Sequence, residues 1–384
     1  MLKVGRYARL REVYLDNSAT TCVSEAAAKK CLEAMTVNYG NPSSLHTKGV
    51  EAEEYLRTAS TLIASSIGAS PEEIYFTSGG TESNNLAVFG AAQARKRLGN
   101  KIVTTAIEHH SVLESVQELE KQGFEAVYIK PDASGHISEQ AIFDAVDEKT
   151  ILVSMMLVNN EVGSILPVSA AAKAIKQKKA PALLHCDAVQ AFGKMPVKVS
   201  ALGCDLLSIT AHKIHGPKGA GALYKKKNVH IVPCHFGGEQ QKKLRPGTEP
   251  VPLIAAFGEA VRELDAQGQY EKIKTLRDSL IMQARQIDGV VINSPEDALP
   301  YIVNISTNLV RSEIMLHFLA SRGIYCSSGS ACAKGEPSHV LSAMGISRKS
   351  ADTALRLSFS KLSTQQDVDD FIAALREGLV KLKH

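Results

Sequence analysis

The chain contains no tryptophan, and tyrosine and phenylalanine together bring the aromatic share to only 5%. A platform that stacks single-stranded nucleic acid needs ring faces, so that class of function is disfavoured. Charge of one sign is also lacking: 44 basic against 40 acidic residues leave a formal net charge of +4. Such a balance gives no electrostatic footprint for a duplex or an anionic membrane. No stretch approaches the roughly eighteen consecutive apolar residues of a membrane helix. The basic segment Met1–Arg11 has no apolar run behind it of the kind a signal peptide carries. The expectation is a reducing, cytoplasmic setting with no direct nucleic-acid or membrane partner. The seven cysteines, Cys22, Cys31, Cys186, Cys204, Cys234, Cys326 and Cys332, include no CxxC pair. Neither a disulfide framework nor a zinc cage is indicated, and reduced core thiols need no further account.

What is present is an ordinary globular composition, 44% hydrophobic and 22% charged over 384 residues. At roughly 150 residues per domain this length suits two or three domains. Short apolar runs rich in β-branched residues predict strands at 74–76, 102–105, 151–158, 182–186, 206–210 and 221–224. Amphipathic stretches near 82–97, 111–122, 138–146 and 168–178 predict helices between them. Alternation of this kind builds a mostly parallel sheet covered on both faces. Around 226–252 the pattern breaks into a Gly/Pro/basic segment, read as irregular chain near a domain boundary. Helical patterns at 253–267 and 270–287 follow, then short strands at 301–306, 323–326 and 353–358, and a final helix from Thr364 to Leu382. The C-terminal third reads as a smaller α+β unit.

Three segments carry chemistry. Phe76-Thr77-Ser78-Gly79-Gly80-Thr81-Glu82-Ser83-Asn84-Asn85 follows a strand and opens a helix. Glycines admit an anion to backbone amides at an electropositive helix start, and Thr81 adds a hydroxyl, so the segment suits a phosphate. An N-capping Thr81 with Glu82 in the first turn is the plainer alternative. It is not a Walker loop, because no Lys-Ser/Thr pair follows the glycines. Asp187 ends the run Leu183-Leu184-His185-Cys186-Asp187, where α/β sheets place ligands. It reads equally as the cap of the next helix, yet a carboxylate buried there is costly without a cation. Lys213 follows the strand Leu206–Thr210 and precedes a Gly/Pro loop. Desolvation there lowers an amine's pKa and makes it a nucleophile toward carbonyls. His212 and His215 have ligand-like spacing, but no third ligand lies near in sequence, so no metal is expected. A phosphate cup, an acid for a ring nitrogen and a lysine for an aldehyde together fit pyridoxal 5'-phosphate.

On these residues the chain resembles the cysteine desulfurases of the class V aminotransferase family, over nearly its whole length. Tyr14-Leu15-Asp16-Asn17-Ser18-Ala19-Thr20-Thr21 resembles the family's opening motif, and Tyr39-Gly40-Asn41-Pro42-Ser43-Ser44 the loop after it. The resemblance implies a fold-type I pyridoxal phosphate-dependent transferase: a large, mostly parallel sheet flanked by helices, plus a smaller α+β domain. The division expected is 14–255 for the cofactor-binding domain, and 1–13 with 256–384 for the small one. It further implies that Gly80 and Thr81 contact the phosphate and that His109, in Glu108-His109-His110-Ser111, stacks on the pyridine ring. Asn160, in Val158-Asn159-Asn160-Glu161, would touch cofactor and substrate. Asp187 would pair with the ring nitrogen, Gln190 with the phenolic oxygen, and Thr210 and His212 with the phosphate. Lys213 would hold the aldehyde as a Schiff base. Thr248, in Leu244-Arg245-Pro246-Gly247-Thr248, would reach the phosphate of a neighbouring subunit, which makes the protein a homodimer.

Two C-terminal segments select the reaction. Ser327-Ser328-Gly329-Ser330-Ala331-Cys332 resembles the family's nucleophile loop, in its long-loop branch but trimmed at Lys334-Gly335. Cys332 is then the sulfur-accepting thiol, with Lys334 near enough in sequence to favour the thiolate. Arg356, in Leu355-Arg356-Leu357-Ser358, matches the residue that grips a substrate α-carboxylate, a task suited to its fork, whereas as an unpaired strand arginine it would be costly. The expected reaction takes sulfur from L-cysteine, giving L-alanine and a persulfide on Cys332. The sulfur would pass to an acceptor, either an iron–sulfur scaffold or a tRNA-thiolation carrier. A selenocysteine lyase or another class V aminotransferase is the alternative.

Overall fold

The computed structural model describes residues 11–328 and 338–382. Strands are numbered in chain order: β1 (Val13–Tyr14), β2 (Ile74–Thr77), β3 (Lys101–Thr105), β4 (Glu125–Ile129), β5 (Thr150–Met156) and β6 (Leu183–Asp187). They continue as β7 (Leu206–Thr210), β8 (Gly221–Lys225), β9 (Val291–Ile292), β10 (Ile302–Ser306), β11 (Ile324–Tyr325) and β12 (Ala354–Ser358). Seven of them form one sheet in the order β2-β8-β7-β6-β5-β3-β4. Only β8 runs against the others, pairing antiparallel with both β2 and β7. The central strands β5, β6 and β7 are buried along their whole length, as continuous apolar runs in a sheet covered on both faces must be.

The expected strands and helices fall within a few residues of their predicted positions. The region 25–67, which the apolar pattern leaves unassigned, folds as two helices, Glu25–Thr36 and Thr47–Ile67. Their buried faces consist largely of alanine and glycine, which gives a weak apolar stripe in sequence. Both pack against the helix Val251–Arg262, at a crossing so close that a Cβ on Gly258 would lie 2.9 Å from that of Ala59. A second, antiparallel sheet orders its strands β12-β10-β9. Beside it β1 pairs parallel with β11, and Asp16 bridges to Ser358 at the end of β12. The N-terminal segment therefore runs from the small sheet toward the large one.

Of the six described cysteines, Cys186 and Cys204 are buried, Cys31 and Cys326 half-buried, and Cys22 and Cys234 exposed. The core-thiol expectation thus fails for Cys22 and Cys234, whose short segments lie on the surface. Cys332 lies outside the described residues.

Glu108 is fully buried directly after β3. Its Oε1 accepts from Thr105 Oγ1 at 2.7 Å and from the Met156 amide at 3.0 Å, while Oε2 has no partner among the described residues. Burial pushes its carboxyl up to about 8, against those two hydrogen bonds and with added repulsion from Asp187. A carboxyl raised by folding contributes stability that is complete below about pH 4.5 and is lost as pH rises to about 8. Glu108→Gln keeps the shape without the titration. Its unfolding free energy should gain on the parent's across that window, by an amount on the order of a few kcal/mol, and stay parallel outside it. Equal pH slopes for the two proteins would contradict the buried acid.

Candidate active site

Parallel strands bring their C-terminal ends to one edge of a sheet, and ligands in α/β folds bind there. On this edge β2 leads into Gly79–Thr81, β7 into Thr210–Lys213, and β6 into Asp187–Gln190. The edge continues with β5, which leads toward Asn160, and β3, which leads toward His109. Sequence positions more than 100 residues apart thus converge because each follows a strand of one sheet.

At the phosphate end, Gly79 caps the sixteen-residue helix Gly80–Arg95 and leaves its first amides free. Two glycines permit the packing here. A Cβ on Gly221 would lie 2.6 Å from the Gly79 Cα, and one on Gly80 would lie 2.8 Å from Val189 Cγ2. The helix start is thereby wedged between β8 and the turn after Asp187. Thr81 is exposed, and Thr210 is buried with its hydroxyl donating to the Ala220 carbonyl at 3.1 Å. His212 Nδ1 lies 3.3 Å from Thr20 Oγ1, and burial with repulsion from Lys213 lowers its imidazolium to about 4.

Asp187 is only 5% exposed. Its Oδ2 accepts from Asn84 Nδ2 at 2.7 Å and its Oδ1 from the Val189 amide at 2.9 Å, with no basic partner among the described residues. Asn84 also donates to Ser111 Oγ at 2.8 Å, and that hydroxyl lies 2.8 Å from His109 Nδ1. The Ser111 amide donates to the same Nδ1 at 3.1 Å, so a neutral His109 carries its proton on Nε2. His109 is accessible in the cleft, yet desolvation by the surrounding protein keeps its pKa below the ordinary value, with Lys213 adding repulsion.

Lys213 Nζ donates to the backbone carbonyls of Ser18 and Ala19, the latter at 2.7 Å. Burial lowers its pKa to about 8, Arg356 pushes in the same direction, and Asp16 and Asp187 oppose. Gln190 Nε2 donates to the Ser18 carbonyl at 2.9 Å. Arg356, 3% exposed in the middle of β12, is not the unpaired arginine its sequence context suggests. It pairs with Asp16 at 2.9 Å, donates through Nη1 to the Asn160 carbonyl at 3.0 Å, and leaves Nε without a partner. Thr248 is exposed, and its loop is tied to the helix Gly80–Arg95 by the Arg245–Glu82 ion pair at 2.8 Å.

Four contributors escape the sequence reading. Asn84 and Ser111 are quoted in motifs without a task, and Asp16 is visible only as part of an opening motif. Lys194, which donates to Gln190 Oε1 at 3.0 Å, gives no local signal beyond being basic in an otherwise apolar turn. His212 and His215 spend their Nδ1 atoms on Thr20 and Cys22. Among the described residues no group of three or more His, Cys, Asp or Glu is placed to hold a metal.

The donor set fits pyridoxal phosphate on its own chemistry. A free helix start with hydroxyls suits a phosphate, and a buried carboxylate without a cation suits a protonated ring nitrogen. An amine of lowered pKa, held only by carbonyls, suits an aldehyde.

Comparison with known proteins agrees. Residues 13–371 match the family described as aminotransferase class-V. The cysteine desulfurase IscS of Methanosarcina thermophila is 40% identical over 379 residues, covering 97% of this chain and 93% of the relative. A solved structure of a NifS-like protein superposes with a TM-score of 0.92 at 36% identity, covering 96% of this chain and all of that one. A structure described as SspA in complex with cysteine superposes with a TM-score of 0.81 at 33% identity, covering 91% and 99%. The chain belongs to the class-V aminotransferase family of pyridoxal phosphate enzymes.

Proposed function

We propose that the protein is a cysteine desulfurase that takes sulfur from L-cysteine, releases L-alanine and carries the sulfur as a persulfide on Cys332. The observation that carries this reading is where the segment holding Cys332 is rooted. Ser327 exchanges backbone hydrogen bonds with Arg356, and Ser338 Oγ donates to the carboxylate of Glu161, the neighbour of Asn160. His339 Nε2 lies 2.9 Å from the Glu108 carbonyl, beside His109. Both roots of the thiol's segment therefore sit on the residues assigned to substrate and ring. The cysteine desulfurase relative and the cysteine-bound neighbour support the same substrate.

When bound, pyridoxal phosphate supplies an electron sink conjugated to the substrate's α-carbon. Gly80, Thr81, Thr210 and His212 would hold its phosphate, Asp187 would keep a proton on its ring nitrogen, and Gln190 would donate to its phenolic oxygen. His109 would stack on the ring, with its proton on Nε2. Arg356 and Asn160 orient the α-carboxylate, with Arg356 Nε the donor still unspent. The Lys213 amine, with its pKa near 8, takes the α-proton. The Cys332 thiolate then attacks the substrate sulfur. A sulfur–sulfur bond forms and the carbon–sulfur bond breaks with its electron pair left on carbon; that carbon takes up a proton and Lys213 returns the α-proton, giving alanine.

We read the assembly as a homodimer in which Thr248 reaches the partner's phosphate site. In support, Thr248 is exposed, and so are Tyr39, Leu45 and Phe236, an apolar set that a partner would cover. The seven-stranded sheet lies wholly within 14–255 and the three-stranded one within 256–384, which supports the division into a cofactor domain and a small domain. No helix among the described residues is long and apolar enough to cross a membrane, and the six described cysteines are free. Both suit cytoplasmic work with a sulfur-acceptor protein of iron–sulfur assembly or tRNA thiolation.

Four measurements test the reading. Apo-protein should capture pyridoxal phosphate faster as pH rises through about 8, where Lys213 loses its proton; a midpoint near lysine's ordinary 10.5 would contradict the assignment. Arg356→Lys keeps a cation for Asp16 but loses the fork. It should raise KM for L-cysteine about tenfold while leaving the cofactor bound, and an unchanged KM would remove Arg356 from the clamp. Cys332→Ala should keep the cofactor colour and bind L-cysteine but show no persulfide by intact-protein mass spectrometry. Sulfide release at the parental rate would overturn the role of Cys332. Alanine release from selenocysteine but not from cysteine would favour a selenocysteine lyase.

A further inference from the structure

Behind Lys213 lies a cavity of about 30 Å³, lined among others by Lys194, Lys213, His215, Glu263, Tyr301 and Lys361. Its one carboxylate, Glu263, is already paired with Lys361 at 3.2 Å. Lys194 is 5% exposed and has no carboxylate partner among the described residues, an expensive way to fill space that an apolar side chain of equal length would fill freely. Its Nζ donates to Gln190 Oε1 at 3.0 Å, and the Nε2 of the same amide donates to the Ser18 carbonyl at 2.9 Å. That carbonyl also accepts from Lys213 Nζ. A continuous chain of hydrogen bonds thus runs from Lys194 through Gln190 and Ser18 to the reactive amine.

The direction of this chain has a chemical cause. A glutamine amide presents a donor at one end and an acceptor at the other, and the two ends differ little in shape. An ammonium has only donors, so it accepts one orientation of that amide alone. We propose that Lys194 is a positioning residue that locks the Gln190 amide with its NH₂ end toward the cofactor's phenolic oxygen. Burial, with repulsion from Lys213 and Arg356, makes the protonated form of Lys194, the form that orients the amide, costly to hold, a cost that a merely space-filling side chain would not incur. The inference rests on the reading of Gln190 as the residue facing that oxygen.

A double-mutant cycle separates the two claims. Apo-proteins of the parent, Lys194→Met, Gln190→Ala and the double variant are titrated with pyridoxal phosphate. Circular dichroism and thermal midpoints check that each is folded. Lys194→Met alone should weaken cofactor binding about tenfold, the scale of one charge-assisted hydrogen bond. It should also raise the pH midpoint of the bound cofactor's visible absorbance, because an oxygen that loses its donor holds a proton more tightly. In the Gln190→Ala background the same substitution should add nothing. Equal weakening in both backgrounds, or none in the single variant, overturns the proposal. An unaffected Gln190→Ala protein instead overturns the reading of Gln190. Should Lys194→Met not fold, Lys194→Gln, neutral and one atom too short to reach, runs the same cycle with the same expected non-additivity.

Discussion

Lys213 and Arg356 are two cations brought together, the guanidinium raising the cost of charging the amine, and the site is built around containing them. The large sheet supplies no carboxylate to Lys213, because a tight ion pair would hold the amine protonated and useless as a base. Containment falls to the short segment Asp16–Thr21. Asp16 neutralises Arg356, while Ser18 and Ala19 offer Lys213 only carbonyl oxygens. Thr21 binds the His212 carbonyl through both its amide and its hydroxyl. Asn17 and Ser18 bond to Ser358 on the small sheet. Six residues therefore set the spacing between the amine on one sheet and the guanidinium on the other.

Two buried acids near the site differ in how they are held. Asp187 accepts two hydrogen bonds, one on each oxygen, at the C-terminal end of β6. Glu108, three residues beyond the end of β3, has one oxygen without a partner among the described residues. Its carboxyl is better held protonated, as a neutral prop under His109 and under the His339 contact. Between them Asn84 and Ser111 link the Asp187 carboxylate to the His109 ring. The carboxylate and the imidazole are thus joined through two side chains.

Much of this was legible in the sequence because the parallel sheet writes a strong code. Buried strands read as unbroken apolar runs, and the residue after each run lands on one edge. Gly80, Asp187 and Lys213 are read that way and Asn160 through the family resemblance, which implies the tasks of all four. What escaped has more than one cause. Arg356 looked unpaired because its counter-ion lies 340 residues earlier. Lys194 gives no signal because its partner, Gln190, is four residues away in a turn, where helical spacing rules do not apply. Glu108 carries no mark of its depth, since the Met156 amide it accepts from lies 48 residues on, at the end of another strand. The helices over 25–67 were missed because alanine and glycine bury well but signal weakly.

Cysteine placement follows the same physics and bears on which thiol can act. A thiol attacks as thiolate, so burial without a nearby cation disables it. Burial raises Cys186 well above its ordinary range and lifts Cys204 and Cys326 to about 12. Cys326 is the instructive case, because it lies only six positions before Cys332 and feels the pull of Arg356, yet burial and Asp16 outweigh that pull. Its neighbour Ser327 is fastened to the backbone of Arg356, and Ser338 is fastened to Glu161. Cys332 is the one cysteine that the sequence places between those two fastenings, which is why the proposed role falls to it rather than to Cys326.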